Sequence, residues 1–192
     1  MKGIILSVDV ESDLHTGNYV GVNEGLKKFE EICDKHEILP ILFVTADALK
    51  QNENLFKKLD KKGWDISLHG LTHKRFDEMD FFEKENEINK SVLLWKRVLG
   101  KKPKGFRAPQ HSIDDTTLEL LEKYGIEYDS SYIPLNFLQL FFFPKKIGLW
   151  MKTCFSGLNR YKIRDNLEER PPSSLFLPFV SLTVRVLPMP LL

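Results

Sequence analysis

Short apolar runs alternate with stretches whose apolar positions recur every three or four residues, and this alternation continues through the first two thirds of the chain. Brief runs rich in β-branched residues predict strands, and the 3.6-residue period predicts helices packed on them. The first run, Gly3 to Val10, is followed by a helical pattern with Leu26, Phe29, Cys33 and His36 on one face, then by the run Ile41 to Val44. Leu49, Phe56 and Leu59 trace a second helix, closed near Lys61, Lys62 and Gly63 by a basic turn and a glycine stop. Trp64 to Leu68 predicts the third strand. The clearest helix comes next: Asp80 and Glu83 have the spacing of a capping box, Phe81, Ile88, Val92, Trp95 and Leu99 share a face, and Gly100 ends it. Gly105 to Arg107 reads as a short strand, Ser112 with Asp115 as the opening of a helix carrying Leu118 and Leu121, and Gly125 as its stop before a strand at Ile126 to Asp129. This order predicts an α/β fold with a parallel sheet.

The reactive side chains fall at strand ends. In a closed or nearly closed parallel barrel, the carboxyl ends of the strands share one rim. Asp9 and Glu11 end the first strand, His69 the third, Arg107 the fourth and Asp129 the fifth. His69 and His73 lie four apart in Ser-Leu-His-Gly-Leu-Thr-His, a spacing that on a helical turn places two imidazoles on one face. Asp9 and Glu11, two apart on an extended strand, face the same side. Two imidazoles and a carboxylate make the ligand set of a hydrolytic zinc-type centre, and a second carboxylate would take a proton from water. The plainer alternatives are packing or surface roles for the histidines and a cap or turn for the acids.

Arg107 stands in Gly-Phe-Arg-Ala-Pro-Gln-His. It is either a surface arginine beside a turn or a guanidinium gripping a carboxylate with both arms, fixing its orientation and keeping it ionised. Pro109 would stiffen the loop forming one pocket wall. Asp129 would hold Arg107, although turn formation explains its Asp-Ser-Ser context equally well. His111, near the same rim, is a candidate substrate contact against a simpler packing or exposed role.

Composition narrows the picture. At 192 residues one domain with a substantial core is expected, and 28 basic against 27 acidic side chains supply no field that favours nucleic acid. Two cysteines, Cys33 and Cys154, form no metal-ligand pair and no disulfide framework, which suits a reducing compartment. The opening residues lack a signal peptide's long apolar region, so the expected location is cytoplasmic. From Pro134 to Phe155 the chain is rich in Phe, Leu and Trp, but Lys145, Lys146 and Lys152 interrupt it too often for a membrane span. It is a core-covering segment or a peripheral membrane-contacting surface. The tract from Leu175 to Leu192, with Pro178, Pro188 and Pro190, reads as irregular strand and loop. Repeats and low-complexity linkers are absent.

These motifs together resemble the polysaccharide deacetylases, the NodB-homology group of carbohydrate esterases, up to about residue 135 and more faintly through Glu169 to Ser173. Ser7-Val8-Asp9-Val10-Glu11 is similar to the family's first motif, His69-Gly70-Leu71-Thr72-His73 matches its histidine motif, and Arg107-Ala108-Pro109 its Arg-x-Pro motif. The resemblance implies a single domain over residues 1–192 with a distorted β/α barrel of the NodB-homology type. Residues 134–192 would be its divergent, truncated C-terminal part, and barrel closure is left open. It implies a divalent metal, zinc or else cobalt or nickel, held by Glu11, His69 and His73. Asp9 would be the general base, Arg107 and Asp129 would orient it, and Pro109 and His111 would line the substrate site. The implied reaction is removal of N-acetyl groups from an N-acetylated sugar or polysaccharide, with no nucleic-acid partner. Two departures stand out. The usual adjacent acid pair is here Asp-Val-Glu, and no histidine follows His111 to match the family's closing Leu-x-His and its general acid. Either that strand and its acid are missing, or His111 or another group substitutes, or turnover is lost. The alternatives to a deacetylase are therefore a silent metal- and glycan-binding homologue and a deacylase acting on another small amide.

Overall fold

A computed structural model describes residues 2–13 and 16–131 and, beyond them, the backbone of three strands. The alternation is β1 (Lys2–Val10), α1 (Leu26–Lys35), β2 (Ile41–Val44), a helical pair α2 (Ala46–Gln51) and α3 (Glu53–Lys61), β3 (Asp65–Leu68), α4 (Phe81–Leu99), β4 (Gly105–Phe106), α5 (Asp115–Tyr124) and β5 (Tyr128–Asp129). The further strands are β6 (Tyr161–Arg164), β7 (Leu167–Glu169) and β8 (Leu182–Pro188). β1 to β5 are parallel, and each pairs with its neighbour in sequence. Right-handed crossovers that always step one strand in the same direction put the helices on one face and curl the sheet; a doubly wound sheet would reverse direction. β7 extends the parallel wall beside β5, while β6 and β8 run antiparallel at its two edges. Those edges do not pair with each other in the strand order, so the described wall is a curled half-barrel, in keeping with the distorted β/α barrel expected, whose closure the sequence left open.

Side-chain alternation divides the wall into two surfaces. Val10, Val44, Leu68 and Phe106 stand in register, buried in the apolar core shared with the helices. Asp9, Phe43 and Ser67 are also in register, one residue earlier, and face the concave side. Tyr128 crosses this concave side. Its hydroxyl donates to Asp65 (2.9 Å) and lies 2.9 Å from the Ser67 hydroxyl, and its ring occupies the space beside Gly105. A Cβ on Gly105 would sit 2.1 Å from Tyr128 Cζ.

Several local expectations hold, and several are corrected. Asp80 and Glu83 form the reciprocal capping box of α4, and Gly100 ends that helix in the left-handed region (φ 72°). Its core face is Ile88, Val92, Trp95 and Val98, whereas Phe81 is 45% exposed. The cap of α5 is Asp114, which accepts from the Thr117 amide (2.8 Å). Ser112 instead donates to the Pro109 carbonyl (2.7 Å) and accepts from the Phe76 amide (2.9 Å), pinning two loops together. His36 lies past the end of α1 and is exposed. The second helical pattern breaks at Asn52 into α2 and α3. Within the tract read as irregular strand and loop, residues 182–188 form the strand, in unbroken antiparallel register with β1. The segment Pro134 to Phe155 lies outside the described residues, and none of the described helices is long and apolar enough to cross a membrane.

Gly105→Ala is expected to destabilise the fold by about 1–3 kcal/mol, since the methyl group would overpack against a ring held by two hydrogen bonds. Urea unfolding monitored by tryptophan fluorescence checks this, and a variant as stable as the parent would contradict the packing described.

Candidate active site

Arg107 follows β4 with its side chain on the concave face, 1% exposed. Its partners follow from strand register. Gly105 pairs with Tyr128 and Phe106 with Asp129, so the next step sets Arg107 beside Ser130. Arg107 Nε donates to the Ser130 carbonyl (3.2 Å), Nη2 to the hydroxyls of Ser130 (3.0 Å) and Ser7 (3.1 Å), and Nη1 to Asp9 Oδ1 (2.6 Å). The guanidinium carbon lies 4.0 Å from the centre of the Phe43 ring. The arginine thus holds one oxygen of Asp9 rather than both. Burial would push the Asp9 carboxyl up, but Arg107, then His69 and His111, outweigh it and hold the group below its ordinary value. Asp9 is an anion at neutral pH.

His69 comes directly after β3, its amide donating to the Val44 carbonyl (2.8 Å). Its buried ring places Nδ1 2.7 Å from the Arg107 carbonyl. A carbonyl only accepts, so Nδ1 carries the hydrogen and Nε2 the lone pair. Burial, the largest influence, pushes the ring's pKa down and keeps it neutral. His73 does not share a helical turn with His69. The chain bends between them, with Gly70 (φ 81°) and His73 (φ 62°) both in the left-handed region. The bend nevertheless brings the ring centres to 5.2 Å and sets His73 Nδ1 3.0 Å from Glu11 Oε2. Pro109 wedges against this bend: a Cβ on Gly70 would meet Pro109 Cγ at 3.2 Å and Phe76 Cε2 at 3.3 Å.

Asp129 does not hold Arg107. Its register with Phe106 turns it toward the opposite surface of the sheet, where it accepts from the Ser131 amide (3.0 Å) and hydroxyl (2.6 Å). The Ser131 hydroxyl in turn accepts from the Ala108 amide (2.7 Å), and the Ser131 carbonyl accepts from His111 Nδ1 (2.9 Å). Asp129 therefore shapes the loop after Arg107 through Ser131. His111 is half-buried; burial and Arg107 push its pKa down to about 4, so it is neutral at neutral pH. Ser7, Ser130, Ser131 and Glu87, which accepts from the Leu71 amide (3.1 Å), escaped the sequence reading. Counting along β4 and β5 from paired residues would have found Ser130.

Glu11, His69 and His73 are suitable donors for a divalent cation, and the fold brings them together. As they stand they are engaged with one another, and among the described residues no three His, Cys, Asp or Glu groups are arranged to hold a metal ion. The donor chemistry fits: a backbone carbonyl on Nδ1, as at His69, is the usual means of presenting Nε2 of an imidazole to a metal.

Comparison with known proteins places this geometry. The family described as polysaccharide deacetylase matches residues 4–128, and the chain belongs to it. The chain is 29% identical over 153 residues to the peptidoglycan deacetylase-like protein FGM2 of Gibberella zeae, covering 73% of this chain and 45% of that protein. It is 27% identical over 148 residues to the peptidoglycan deacetylase of Helicobacter pylori, covering 77% and 50%. The chain thus spans about half the length of the curated relatives it matches. Among solved structures, a polysaccharide deacetylase by name from Mycobacterium smegmatis superposes with TM-score 0.66 at 18% identity, over 91% of this chain and 63% of that one. A carbohydrate esterase family 4 pseudoenzyme from Bacillus anthracis superposes with TM-score 0.52 at 18% identity, over 62% and 40%. These likenesses show the fold.

The His111 ring is expected to titrate near 4, well below its ordinary 6.5, in a proton NMR titration. Because the folded value is depressed, His111 favours the fold above pH 6.5, and that contribution is lost as pH falls toward 4. A midpoint near 6.5 would contradict the burial described.

Proposed function

We propose that the chain is a metal-dependent deacetylase that removes N-acetyl groups from an N-acetylated sugar or polysaccharide. The observation that carries this reading is the buried Arg107–Asp9 ion pair at a mouth shared with Glu11, His69 and His73. Glu11, His69 and His73 would hold the cation, zinc or else cobalt or nickel; when bound, it would polarise the acetyl carbonyl and render water more acidic. Arg107 fixes Asp9 and keeps it ionised, with one carboxylate oxygen engaged and the other directed to catalysis. Asp9 takes the proton from the attacking water as the carbon–oxygen bond forms, and returns it to nitrogen as the carbon–nitrogen bond breaks, giving acetate and a free amine. The same low pKa that limits Asp9 as a base makes its protonated form an effective donor. His111, neutral and bonded through Nδ1 to a carbonyl, does not carry that proton at neutral pH and instead lines the substrate side of the loop with Pro109. A second reading is a silent glycan-binding homologue, supported by the fold shared with a carbohydrate esterase family 4 pseudoenzyme.

Zinc-loaded protein incubated with N-acetylglucosamine oligomers is expected to release acetate. Asp9→Asn should lower the rate at least about a hundredfold, and His111→Phe less than tenfold. No acetate alongside retained glycan binding would establish the silent homologue, and a hundredfold loss in His111→Phe would return the proton-donor role to that ring.

A further inference from the structure

The bend that carries the two histidines is anchored by its backbone, and one of its anchors is a charged side chain that the chemistry above does not use. The Gly70 and Leu71 carbonyls accept from the first amides of α2, Ala46 (2.9 Å) and Asp47 (3.1 Å). These are donors that a helix leaves unpaired at its start, so the bend doubles as a cap for α2. The Leu71 amide points the other way, to Glu87 Oε2 on α4 (3.1 Å). Glu87 is 8% exposed, and its own turn of helix is fixed by the Ser91 hydroxyl donating to the Glu87 carbonyl (2.7 Å). A glutamate buried on a helix's core face is costly unless it satisfies a partner. Here that partner is the residue midway between His69 and His73.

We propose that Glu87 is a positioning residue: by holding the Leu71 amide from α4 while α2 holds the carbonyls, it fixes the left-handed turn that brings His73 to Glu11 and within reach of His69. The inference rests on the reading of Glu11, His69 and His73 as metal donors. Its logic is that of outer partners that orient metal ligands, whose loss usually lowers metal affinity about 10- to 100-fold. An oxygen acceptor at this distance is what the backbone needs, so an amide oxygen should serve nearly as well as the carboxylate.

The test is equilibrium zinc binding by competition with a chromophoric chelator, run on the parent and on Glu87→Gln, Glu87→Leu, Glu87→Asp and His73→Ala. Expected are affinity within about twofold of the parent for Glu87→Gln and about tenfold or weaker binding for Glu87→Leu, with the His73 ring resonances of the metal-free protein displaced in the Leu variant but not in the Gln variant. If Glu87→Leu does not fold, Glu87→Asp, one methylene too short to reach the Leu71 amide, is expected to show the same loss. Parent-like affinity in both Leu and Asp variants would overturn the positioning role while leaving the metal donors intact. A Gln variant as weak as the Leu variant would overturn the hydrogen-bond basis. Parent protein binding zinc no better than His73→Ala would overturn the metal reading itself, and the role of Glu87 with it.

Discussion

A guanidinium buried on the concave face of a curled sheet is the constraint from which the rest of this site follows. Removing a cation from water is expensive, and the expense is offset only if charge and hydrogen bonds are returned inside the protein. Arg107 recovers them from Ser7 and Asp9 on β1, from Ser130 after β5 and from the face of Phe43 on β2, groups belonging to three different segments. Deleting one member of such a pair typically costs about 3–5 kcal/mol because the other charge is stranded. The same residue works through its backbone: its amide bonds the Leu68 carbonyl (2.9 Å) and its carbonyl sets the His69 tautomer. One arginine thus holds the acid, orients an imidazole and stitches β4 to β3.

The features legible in sequence were those that depend on local pattern. Strand ends carrying Asp9, Glu11, His69 and Arg107 could be read because the apolar runs stop there, and the capping box of α4 because its spacing is self-contained. What was missed depends on relations between segments. The place of Asp129 at a strand end points to Arg107, but pairing of Phe106 with Asp129 puts that carboxylate on the opposite surface and gives the role to Ser130. Only the register, which no single segment contains, distinguishes them. Likewise the four-residue histidine spacing suggested a helical turn, whereas Gly70 at φ 81° redirects the chain and the rings meet across a bend. Glu87 sits in a helix dense with charge, where a glutamate reads as solvated, and its burial becomes visible only once the histidine bend packs on α4.

The two surfaces of the sheet divide the labour. Val10, Val44, Leu68 and Phe106 join the helices in a dry core that supplies hydrophobic stabilisation, while Asp9, Phe43, Ser67 and Arg107, one step away, lie on the concave side. Because parallel strands repeat this alternation in register, a single frame serves both purposes: every residue that anchors the core fixes the direction of a neighbour in the site. Family membership and fold follow from that frame, whereas the chemistry depends on a few side chains at its rim.

Those rim segments contain three residues in backbone conformations that side chains seldom adopt: His73 (φ 62°), Gln110 (φ 52°) and His111 (φ 55°). Each such residue costs on the order of 1–3 kcal/mol and persists only where the surroundings over-determine it. Around His73 the determinants are the α2 amides and Glu87; around Gln110 and His111 they are the Ser112 hydroxyl on the Pro109 carbonyl, the His111 amide on the Ala108 carbonyl (2.9 Å) and the Ser131 contacts. Pro109, pressed against Gly70, links the two bends. Strain in one loop is therefore resisted by the other, and a change to either bend is transmitted to both histidine-bearing walls. The site's precision comes from this mutual bracing of loops, with the helices acting on it through their first amides and a single buried carboxylate.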